Sequence, residues 1–536
     1  MKHKIINKLQ QLSVYDWLAL ALSLIYFLAL LVHINYFKAP HGDIYQYIRE
    51  GHDYLSGQVP HIIHPQPLFS IIVVLLQPLF SFLEFPYFAA AKFLNIFAAS
   101  GMMLITYLIV KKKTTASLAI MSVVIATTHP ITTASAFDTT NVGIYSFFAL
   151  LTLYFAEQNS KKRRWFFASL LAAFFIRIEA LAIISAHMCT SGLKKLKKDA
   201  PWLMISGLII GLWITFQTIH NLDYDMDYGN YYVYEISERK FDANNLVYSL
   251  GLFGAMFFPQ QMSLYELNLN QNTVVLMLSY ILVTAAMIMT KSTRKVGLYL
   301  FGVSLIHSIF PAIEPRYLVL FLHGTIIGSS VLAFEIYQKH KHKKWIQVVL
   351  IGGSLLFFAY YSQFLFKHYA NNLSDYRNTA IDLNHQVYDW IFNHTGRESY
   401  QIIANESELY YQPFLYSTKY LSNKTNPPLA ELVNDNFIIS FTDRSLSFVR
   451  LNEVKNNCQS ATCLLNRLNT DQKILLISGP EIMSSPSNDF WIQHNGTFLL
   501  KELLLKENCL KQLMVFRNPQ LYRRIDELDF NCYLEK

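Results

Sequence analysis

Long apolar stretches of about 17 to 25 residues recur between residues 16 and 366, and each is long enough to cross a hydrocarbon core of roughly 30 Å. Hydrophobic residues make up 52% of the chain and charged residues only 15%, which lies outside the range of soluble globular proteins. Backbone polar groups inside a bilayer must hydrogen-bond within the protein, so such stretches form helices. The sequence therefore predicts a polytopic α-helical membrane protein, whose first apolar stretch has no cleavage site behind it and is expected to be retained.

Lys and Arg are concentrated in short clusters between the apolar stretches, as is typical of loops on the cytoplasmic side. The clusters lie at residues 2–8, 111–113, 161–164, 194–198, 291–295 and 339–344. An even number of crossings must separate each cluster from the next. The clusters do not form a basic surface interleaved with aromatic residues, so the net charge of +8 reflects topology and no nucleic-acid partner is expected.

The required even number of crossings decides whether two ambiguous apolar stretches span the membrane. Residues 67–83 are apolar, but counting them as a span would place the next basic cluster outside, so we expect them in the outer interface. Residues 165–192 have basic clusters on both flanks, so this stretch must go out and return, with Arg177 and Glu179 at its outer bend. We predict about eleven helices, with the amino terminus inside and the carboxyl terminus outside. The predicted spans are 16–38, 88–110, 115–133, 141–158, 165–177, 179–193, 200–220, 272–290, 296–313, 317–337 and 345–366.

The composition changes after residue 366, where charged residues and Asn become common. Short alternating stretches at 401–404, 436–441 and 473–478 are typical of strands between helical segments. The chain is therefore expected to have two parts. They are a transmembrane module at 1–366, with large outer loops at 39–87 and 221–271, and an extracytoplasmic α/β domain at 367–536.

Four of the five cysteines lie in this second part, which the predicted topology places in an oxidising compartment. An even number there predicts two disulfides, and pairing Cys458 with Cys463 and Cys509 with Cys532 is our preferred choice among three connectivities. Four unpaired thiols are the alternative. A zinc site is disfavoured, because the spacing has no Cys-x-x-Cys and no close His pair accompanies it.

The first outer loop contains an acidic residue, Asp43, followed by Ile-Tyr-Gln-Tyr. One interpretation is structural: Asp43 is a good N-cap, with Gln46 at the capping-box position, for an interfacial helix that runs through Leu55. The other is chemical, since a carboxylate at the membrane surface can meet the hydroxyl group of a substrate. The two roles are compatible.

Ionisable residues at the ends of spans are costly to desolvate, so they usually face a cavity and mark a substrate path. On the same outer side as Asp43 the predicted topology places Asp138, Arg177, Glu179, Glu314 and Arg316. Arg suits a phosphate ligand because its planar guanidinium donates two parallel hydrogen bonds, so a buried pyrophosphate or phosphodiester is the expected ligand. The alternatives are snorkelling for Arg177, a local ion pair between Glu314 and Arg316, and ordinary interfacial placement for Lys92, a weaker phosphate candidate.

Two other groups are weaker candidates. His61 and His64 with Glu84 could bind a divalent cation, but His-x-x-His beside prolines is more often ordinary loop sequence. The tyrosine-rich stretch at 223–234 could stack on sugar rings, although an aromatic belt at the level of the lipid headgroups explains it better.

These residues resemble those of the GT-C superfamily of polyprenyl-phosphate-sugar glycosyltransferases, which contains the protein O-mannosyltransferases and the lipid A aminoarabinose transferase. The similar elements are Gly-Asp43-x-Tyr45-x-Tyr47 with Gly57 and the prolines at 65–67, then Arg177-Ile-Glu-Ala, and Glu314-Pro-Arg316-Tyr317. Their order and their predicted outer placement agree with that family's layout. The resemblance covers most of residues 1–366, and the rest of the chain has no comparable motif.

The resemblance implies an inverting transfer of a sugar from a polyprenyl phosphate to a lipid, glycan or protein acceptor. It implies that Asp43 is the general base, that Arg177 and Arg316 stabilise the departing phosphate, and that Asp138 orients the acceptor or the sugar. The further substrate-binding candidates are Tyr45, Tyr47, His64, Glu179 and Glu314. The first loop has no Asp-x-Asp pair and the chain has no nucleotide-binding motif, so we expect neither a nucleotide-sugar donor nor an obligatory metal.

Two other functions are open alternatives. A transporter or flippase for a lipid-linked sugar would show an inverted repeat and broken helices near the midplane, and the sequence indicates neither. A catalytically silent assembly subunit, whose tail binds a partner, is the second alternative. The absence of long insertions favours a bacterial inner membrane, with the tail outside the cytoplasm.

Overall fold

The computed structural model describes residues 12–34, 43–59, 67–83, 85–158, 163–222, 273–309 and 317–340, six strands between residues 400 and 528, and a few short segments besides. The chain forms two compact units. One comprises residues 1–34, 54–72 and 91–370, and the other comprises residues 35–53, 73–90 and 371–536.

The helices account for most of the described residues. They are α1 (Val14–Val32), α2 (Asp43–Leu55), α3 (Pro67–Leu76), α4 (Pro86–Lys113), α5 (Ala116–Thr128), α6 (Pro130–Phe137), α7 (Val142–Ala156), α8 (Arg163–Phe174), α9 (Leu181–Thr190), α10 (Leu193–Leu222), α11 (Thr273–Met289), α12 (Arg294–Ile309) and α13 (Leu318–Lys339). The first ten predicted spans each coincide with one of these helices or with a bent pair of them. The eleventh, at 345–366, lies almost entirely outside the described residues.

Four of the described helices, α1, α4, α10 and α13, are long and apolar enough to cross a membrane, or five if α5 and α6 form one bent span. The described chain is thus a polytopic helical membrane protein, and the count of eleven spans stays a prediction. Helices α4 and α13 contribute much of the core, and residues 318–328 of α13 are all buried.

The two ambiguous stretches have the form that the charge clusters predict. Helix α3 has only 10 residues before a 3₁₀ turn at Gln77–Phe80, about 15 Å of α-helix, which is too short to cross the hydrocarbon core. The stretch at 165–192 reverses between α8 and α9, and Arg177 lies in the turn directly before a 3₁₀ helix, Ile178–Ala180. Both helices are short, with 12 and 10 residues.

The predicted span at 115–133 is wrong as a single straight helix. It is two helices, α5 and α6, that meet at an angle of 68°. Pro130 has no backbone N–H and restricts His129 to an extended conformation, which is incompatible with a continuous helix. The His129 ring then caps the new helix, because Nδ1 accepts a hydrogen bond from the backbone N–H of Ile131 at 3.2 Å. The sequence indicates no broken helix, and the bend between α5 and α6 corrects that expectation.

Two of the basic clusters, at 111–113 and 291–295, meet at one end of the helices, as the sequence predicts. Lys111 at the end of α4 pairs with Asp16 at the start of α1. Glu157, just after α7, lies 3.4 Å from Lys113 and 3.7 Å from Lys295. These ion pairs join four helices at the same level.

The second unit contains a six-stranded mixed sheet of β1 (Tyr400–Ala404), β2 (Phe437–Thr442), β3 (Ser445–Arg450), β4 (Lys473–Ser478), β5 (Leu510–Arg517) and β6 (Tyr522–Leu528). The strand order is β3-β2-β1-β4-β6-β5, and β1 with β4 is the parallel pair among otherwise antiparallel neighbours. Three of these strands, β1, β2 and β4, coincide with the segments predicted as strands. The apolar run of β4 is buried at the centre of the sheet.

Polar and covalent links stabilise the edge of this sheet. Cys509 and Cys532 form a disulfide, the pairing that the sequence analysis preferred for these two residues. Burial raises the pKa of Asp526, and its hydrogen bond from Arg524 at 2.7 Å opposes that rise. Cys458 and Cys463 lie outside the described residues.

Candidate functional site

A polar cluster in the first unit lies at the opposite end of the helices from the basic clusters. It is formed by the turn between α8 and α9, the turn between α6 and α7, and the first residues of α13. These are the places where the sequence predicts the outer ends of spans. Polar side chains cluster there although the surrounding helices are apolar.

Arg177 is at the centre of this cluster. Its Nε and Nη2 atoms both donate to Oε1 of Glu179, at 2.9 and 2.5 Å, and Nη1 donates to Oδ1 of Asn141 at 3.0 Å. The guanidinium also lies over the ring of Tyr317, 4.8 Å from its centroid. The Glu179 side chain is only 6% exposed. Arg177 therefore forms a buried ion pair with Glu179, and it does not extend alone toward the interface.

Two asparagines hold the backbone around the cluster. Asn95 on α4 donates to the carbonyls of Asp138 and Thr140, at 2.8 and 2.7 Å, and its Oδ1 accepts from the N–H of Ile144. Asn141 donates to the carbonyl of Ile176, the residue before Arg177, at 3.0 Å. The turn before α7 is thus tied to α4 on one side and to the α8–α9 turn on the other.

Asp138 lies in this same turn. Its carboxylate accepts from the N–H of Thr140 at 3.2 Å and from the Thr140 hydroxyl at 2.5 Å. Both bonds are local and shape the turn that begins α7. The role in orienting a substrate stays a prediction, because these contacts give Asp138 a structural function of its own.

Lys92 is buried in α4, with 3% of its surface exposed. It lies one helical turn before Asn95, so the two side chains share a face of the helix and are neighbours at about 5 to 6 Å between Cβ atoms. Within the described ranges the Lys92 ammonium has no hydrogen-bond or ionic partner. An isolated buried charge is costly, so the charged form of Lys92 needs an anion beside it.

The functional residues that sequence reasoning missed are uncharged. Besides Asn95 and Asn141 they include Tyr145 and Tyr299, two fully enclosed tyrosines whose hydroxyl groups lie 3.0 Å apart. The one available indication was Asn95 in an otherwise apolar stretch, since a buried amide must have hydrogen-bond partners. Nothing local in the sequence identifies the tyrosine pair.

Most of helix α2, which lies in the predicted first outer loop, belongs to the second unit. Helix α2 begins at Asp43 and ends at Leu55, the bounds that the sequence predicts. Ile44, Tyr47 and Ile48 are buried. His52 shares a hydrogen bond with the Tyr87 hydroxyl at 2.8 Å, and burial lowers its pKa, so the imidazole is neutral at pH 7.

The remaining candidates lie outside what the structure describes. The side chains of Asp43 and Tyr45 are among them, as are His61, His64, Glu84, Glu314 and Arg316. No group of three or more His, Cys, Asp or Glu side chains that could hold a metal occurs among the described residues. The structure therefore brings Arg177, Glu179 and Asp138 to one end of the bundle, and the convergence of Asp43 and Arg316 with them stays a prediction.

These features define a polytopic helical membrane protein, and its fold is similar to that of ArnT from Cupriavidus metallidurans. Two solved structures of ArnT are similar to this chain. The crystal structure of ArnT bound to undecaprenyl phosphate is 12% identical in sequence, covers 96% of this chain and 98% of ArnT, and superposes with a TM-score of 0.55. The structure of the same protein in the apo state is also 12% identical in sequence. It covers 94% of this chain and 97% of ArnT, with a TM-score of 0.52.

At this identity the likeness concerns the fold alone. No protein-family model and no curated protein sequence matches the chain. The similarity covers nearly the full length of both chains.

Proposed function

We propose that this chain is an integral membrane glycosyltransferase that moves a sugar from a polyprenyl-phosphate carrier to an acceptor, with inversion at the anomeric carbon. Two lines of support meet here. The fold matches, along 96% of the chain, a protein that was crystallised with undecaprenyl phosphate. The polar cluster lies at the ends of membrane-spanning helices, where a lipid-linked substrate can enter laterally.

The observation on which this proposal chiefly rests is the buried Lys92. Arg177 is already paired with Glu179, so the net charge of that pair is close to zero. Lys92 has no such partner among the residues described, and its positive charge is available to the departing polyprenyl phosphate. In a low-dielectric site a preformed positive charge stabilises charge that develops in the transition state far more than it would in water. Lys92, the weaker candidate from sequence, thus becomes the leading phosphate ligand.

The other residues have complementary roles in the proposal. Asp43 accepts the proton of the acceptor hydroxyl as general base, which contributes typically about 10² to 10⁴ in rate. Arg316 contributes a further positive charge at the phosphate, and Arg177 does so with its orientation fixed by Glu179 and Asn141. Tyr45, Tyr47, His64, Asp138 and Glu314 contact the sugar or the acceptor.

The proposal includes three further expectations. The reaction proceeds without a nucleotide sugar and without an obligatory metal, because the lipid phosphate is the leaving group and protein cations neutralise it. The polar cluster and the carboxyl-terminal unit lie outside the cytoplasm, since positive clusters mark the opposite end of the helices as cytoplasmic. The membrane is the inner membrane of a bacterium.

The experiment uses the purified full-length chain in proteoliposomes with polyprenyl-phosphate-linked sugars and a pool of acceptor lipids and glycans. We expect free polyprenyl phosphate to be released and the sugar to appear on an acceptor, with EDTA having no effect. Transfer of intact donor across the bilayer without release of polyprenyl phosphate would show a transporter, for which the bend between α5 and α6 is the one supporting observation. Absence of both activities would favour the silent assembly subunit.

A further inference from the structure

A second candidate site lies in the first unit at the end of the helices where the basic clusters meet. It is a cleft of about 380 Å³ between the end of α7, the start of α8, the end of α9 and the start of α10. The ionisable side chains that line it are Arg163, His187, Lys194, Lys195, Lys198 and Asp199. It is distant in the fold from the Arg177 cluster, because the two lie at opposite ends of α8 and α9.

The cleft has an excess of positive charge. Four cationic side chains face one carboxylate, and that carboxylate is already engaged: Asp199 pairs with Arg163 through one oxygen and lies 3.0 Å from Nε2 of His187 through the other. Lys195 donates to the carbonyl of Ala156 at 3.1 Å. The ammonium groups of Lys194 and Lys198 have no hydrogen-bond or ionic partner in the part of the chain that is described. Two unneutralised cations therefore line a preformed cavity.

The floor of the cleft has an unsatisfied polar group as well. His187 is 2% exposed, and its Nδ1 atom has no hydrogen-bond partner among the described residues. A buried polar atom without a partner is uncommon in folded proteins and calls for a water molecule or a ligand. His187 itself lines the cleft, so this observation is independent of the charge count.

The surroundings of the cleft are those of a lipid interface. Helix α10 continues from the cleft with an exposed apolar face that includes Met204 and Leu208. Trp165 at the start of α8 is 52% exposed, and the Arg164 guanidinium lies 5.6 Å from its ring centroid. Tryptophan and basic residues in this arrangement are typical of the level of the lipid headgroups.

We propose that this cleft binds the headgroup of an anionic phospholipid from the predicted cytoplasmic leaflet. The phosphate lies between the Lys194 and Lys198 ammonium groups, and the acyl chains lie along the exposed apolar face of α10. Basic pockets between transmembrane helices on the cytoplasmic side recognise anionic lipids by this chemistry. The site is separate from the donor site proposed above and does not depend on the chain being an enzyme.

The test measures lipid binding to the full-length protein in detergent by native mass spectrometry. The titrants are phosphatidylglycerol, phosphatidylcholine with the same acyl chains, and glycerol 3-phosphate as a soluble phosphate. The cleft variant is Lys194→Gln with Lys198→Gln. The matched control is Lys197→Gln with Lys291→Gln, which removes the same charge from exposed residues of the same end that do not line the cleft.

We expect the wild type and the control to bind phosphatidylglycerol equally and more tightly than phosphatidylcholine. The cleft variant should bind phosphatidylglycerol about 25-fold more weakly, since each lysine near an anionic lipid contributes roughly fivefold. Asp43→Asn should bind it as the wild type does, so failure of the proposed function would leave this result unchanged. Equal weakening in both lysine variants would overturn the proposal, because general surface charge would then explain binding. Displacement of the lipid by equimolar glycerol 3-phosphate would also overturn it and identify a soluble phosphate site.

Discussion

At the scale of single residues, the cluster around Arg177 shows how charge is compensated inside the bundle. Arg177 and Glu179 neutralise each other at 2.5 Å, and Asn141 satisfies a further donor of the guanidinium. Breaking such a pair leaves an uncompensated buried charge, which makes the pair a fixed structural unit. Lys92 differs from it because no described residue compensates its charge. Function and stability are expected to oppose each other at Lys92.

The first prediction concerns the opposite effects of the Lys92 charge on stability and on donor binding. Lys92→Met keeps the length of the side chain and removes the charge, so the unfolding temperature should rise while the affinity for a polyprenyl-phosphate donor falls. The loss of one charge-assisted contact corresponds to roughly tenfold to hundredfold weaker donor binding. The measurements are thermal unfolding of the purified protein and the KM for the donor.

Lys112→Met is the matched control, since Lys112 lies on the same helix at the opposite end and is exposed. It should leave the donor KM unchanged. A Lys92→Met protein with wild-type donor affinity would show that the ammonium has a structural role only.

At the scale of elements, close packing between α4 and α7 holds the turn that supports Arg177. A Cβ atom added at Gly143 on α7 would lie 2.5 Å from Oδ1 of Asn95. Asn95 would have to move, and its three hydrogen bonds to the turn would be lost. The absence of a side chain at Gly143 is therefore what lets α4 position the site.

The second prediction follows from this contact. Gly143→Ala should lower the unfolding temperature, by an overpacking penalty of about 1 to 3 kcal/mol, and should reduce turnover. Gly207→Ala on α10 is the control, because a Cβ there meets no heavy atom within 4 Å. That change should be neutral or should stabilise the helix by up to about 1 kcal/mol. Equal behaviour of the two variants would contradict the packing argument.

The sequence predicts the helices better than it predicts their interactions, for physical reasons. Span length and loop charge are local properties, so the helix positions and the reversal near Arg177 follow from counting. The break at His129 was also detectable, because Pro130 cannot continue a straight helix without distortion. The bonds from Asn95 to a turn more than 40 residues away depend on packing, which the sequence does not display.

The strands also differ in how well the sequence predicts them. β4 is an apolar run that is buried at the centre of the sheet, and its pattern predicts it. β5 and β6 contain several charged residues, and β5 is an edge strand of the sheet. Their alternation is weak, so periodicity alone does not identify them.

At the scale of the whole molecule, charge separates the two ends of the bundle. Basic clusters and the cleft of Arg163 and Lys198 lie at one end, and the paired Arg177 with the buried Lys92 lies at the other. The first arrangement is typical of a cytoplasmic face, and the second suits a lipid phosphate that enters between helices. A fold shared with ArnT along nearly the full length joins these features in one account. That account makes Asp43, at the start of α2, the base of a glycosyl transfer.

The most direct test compares transfer of sugar from a polyprenyl-phosphate donor by the wild type, Asp43→Asn and Asp53→Asn, all purified as full-length proteins. Asp53 lies on the same helix, so its substitution makes the same chemical change away from the proposed base. We expect the wild type and Asp53→Asn to turn over at similar rates and Asp43→Asn to be slower by about 10² to 10⁴, with unchanged unfolding temperature. Wild-type turnover by Asp43→Asn would contradict the account.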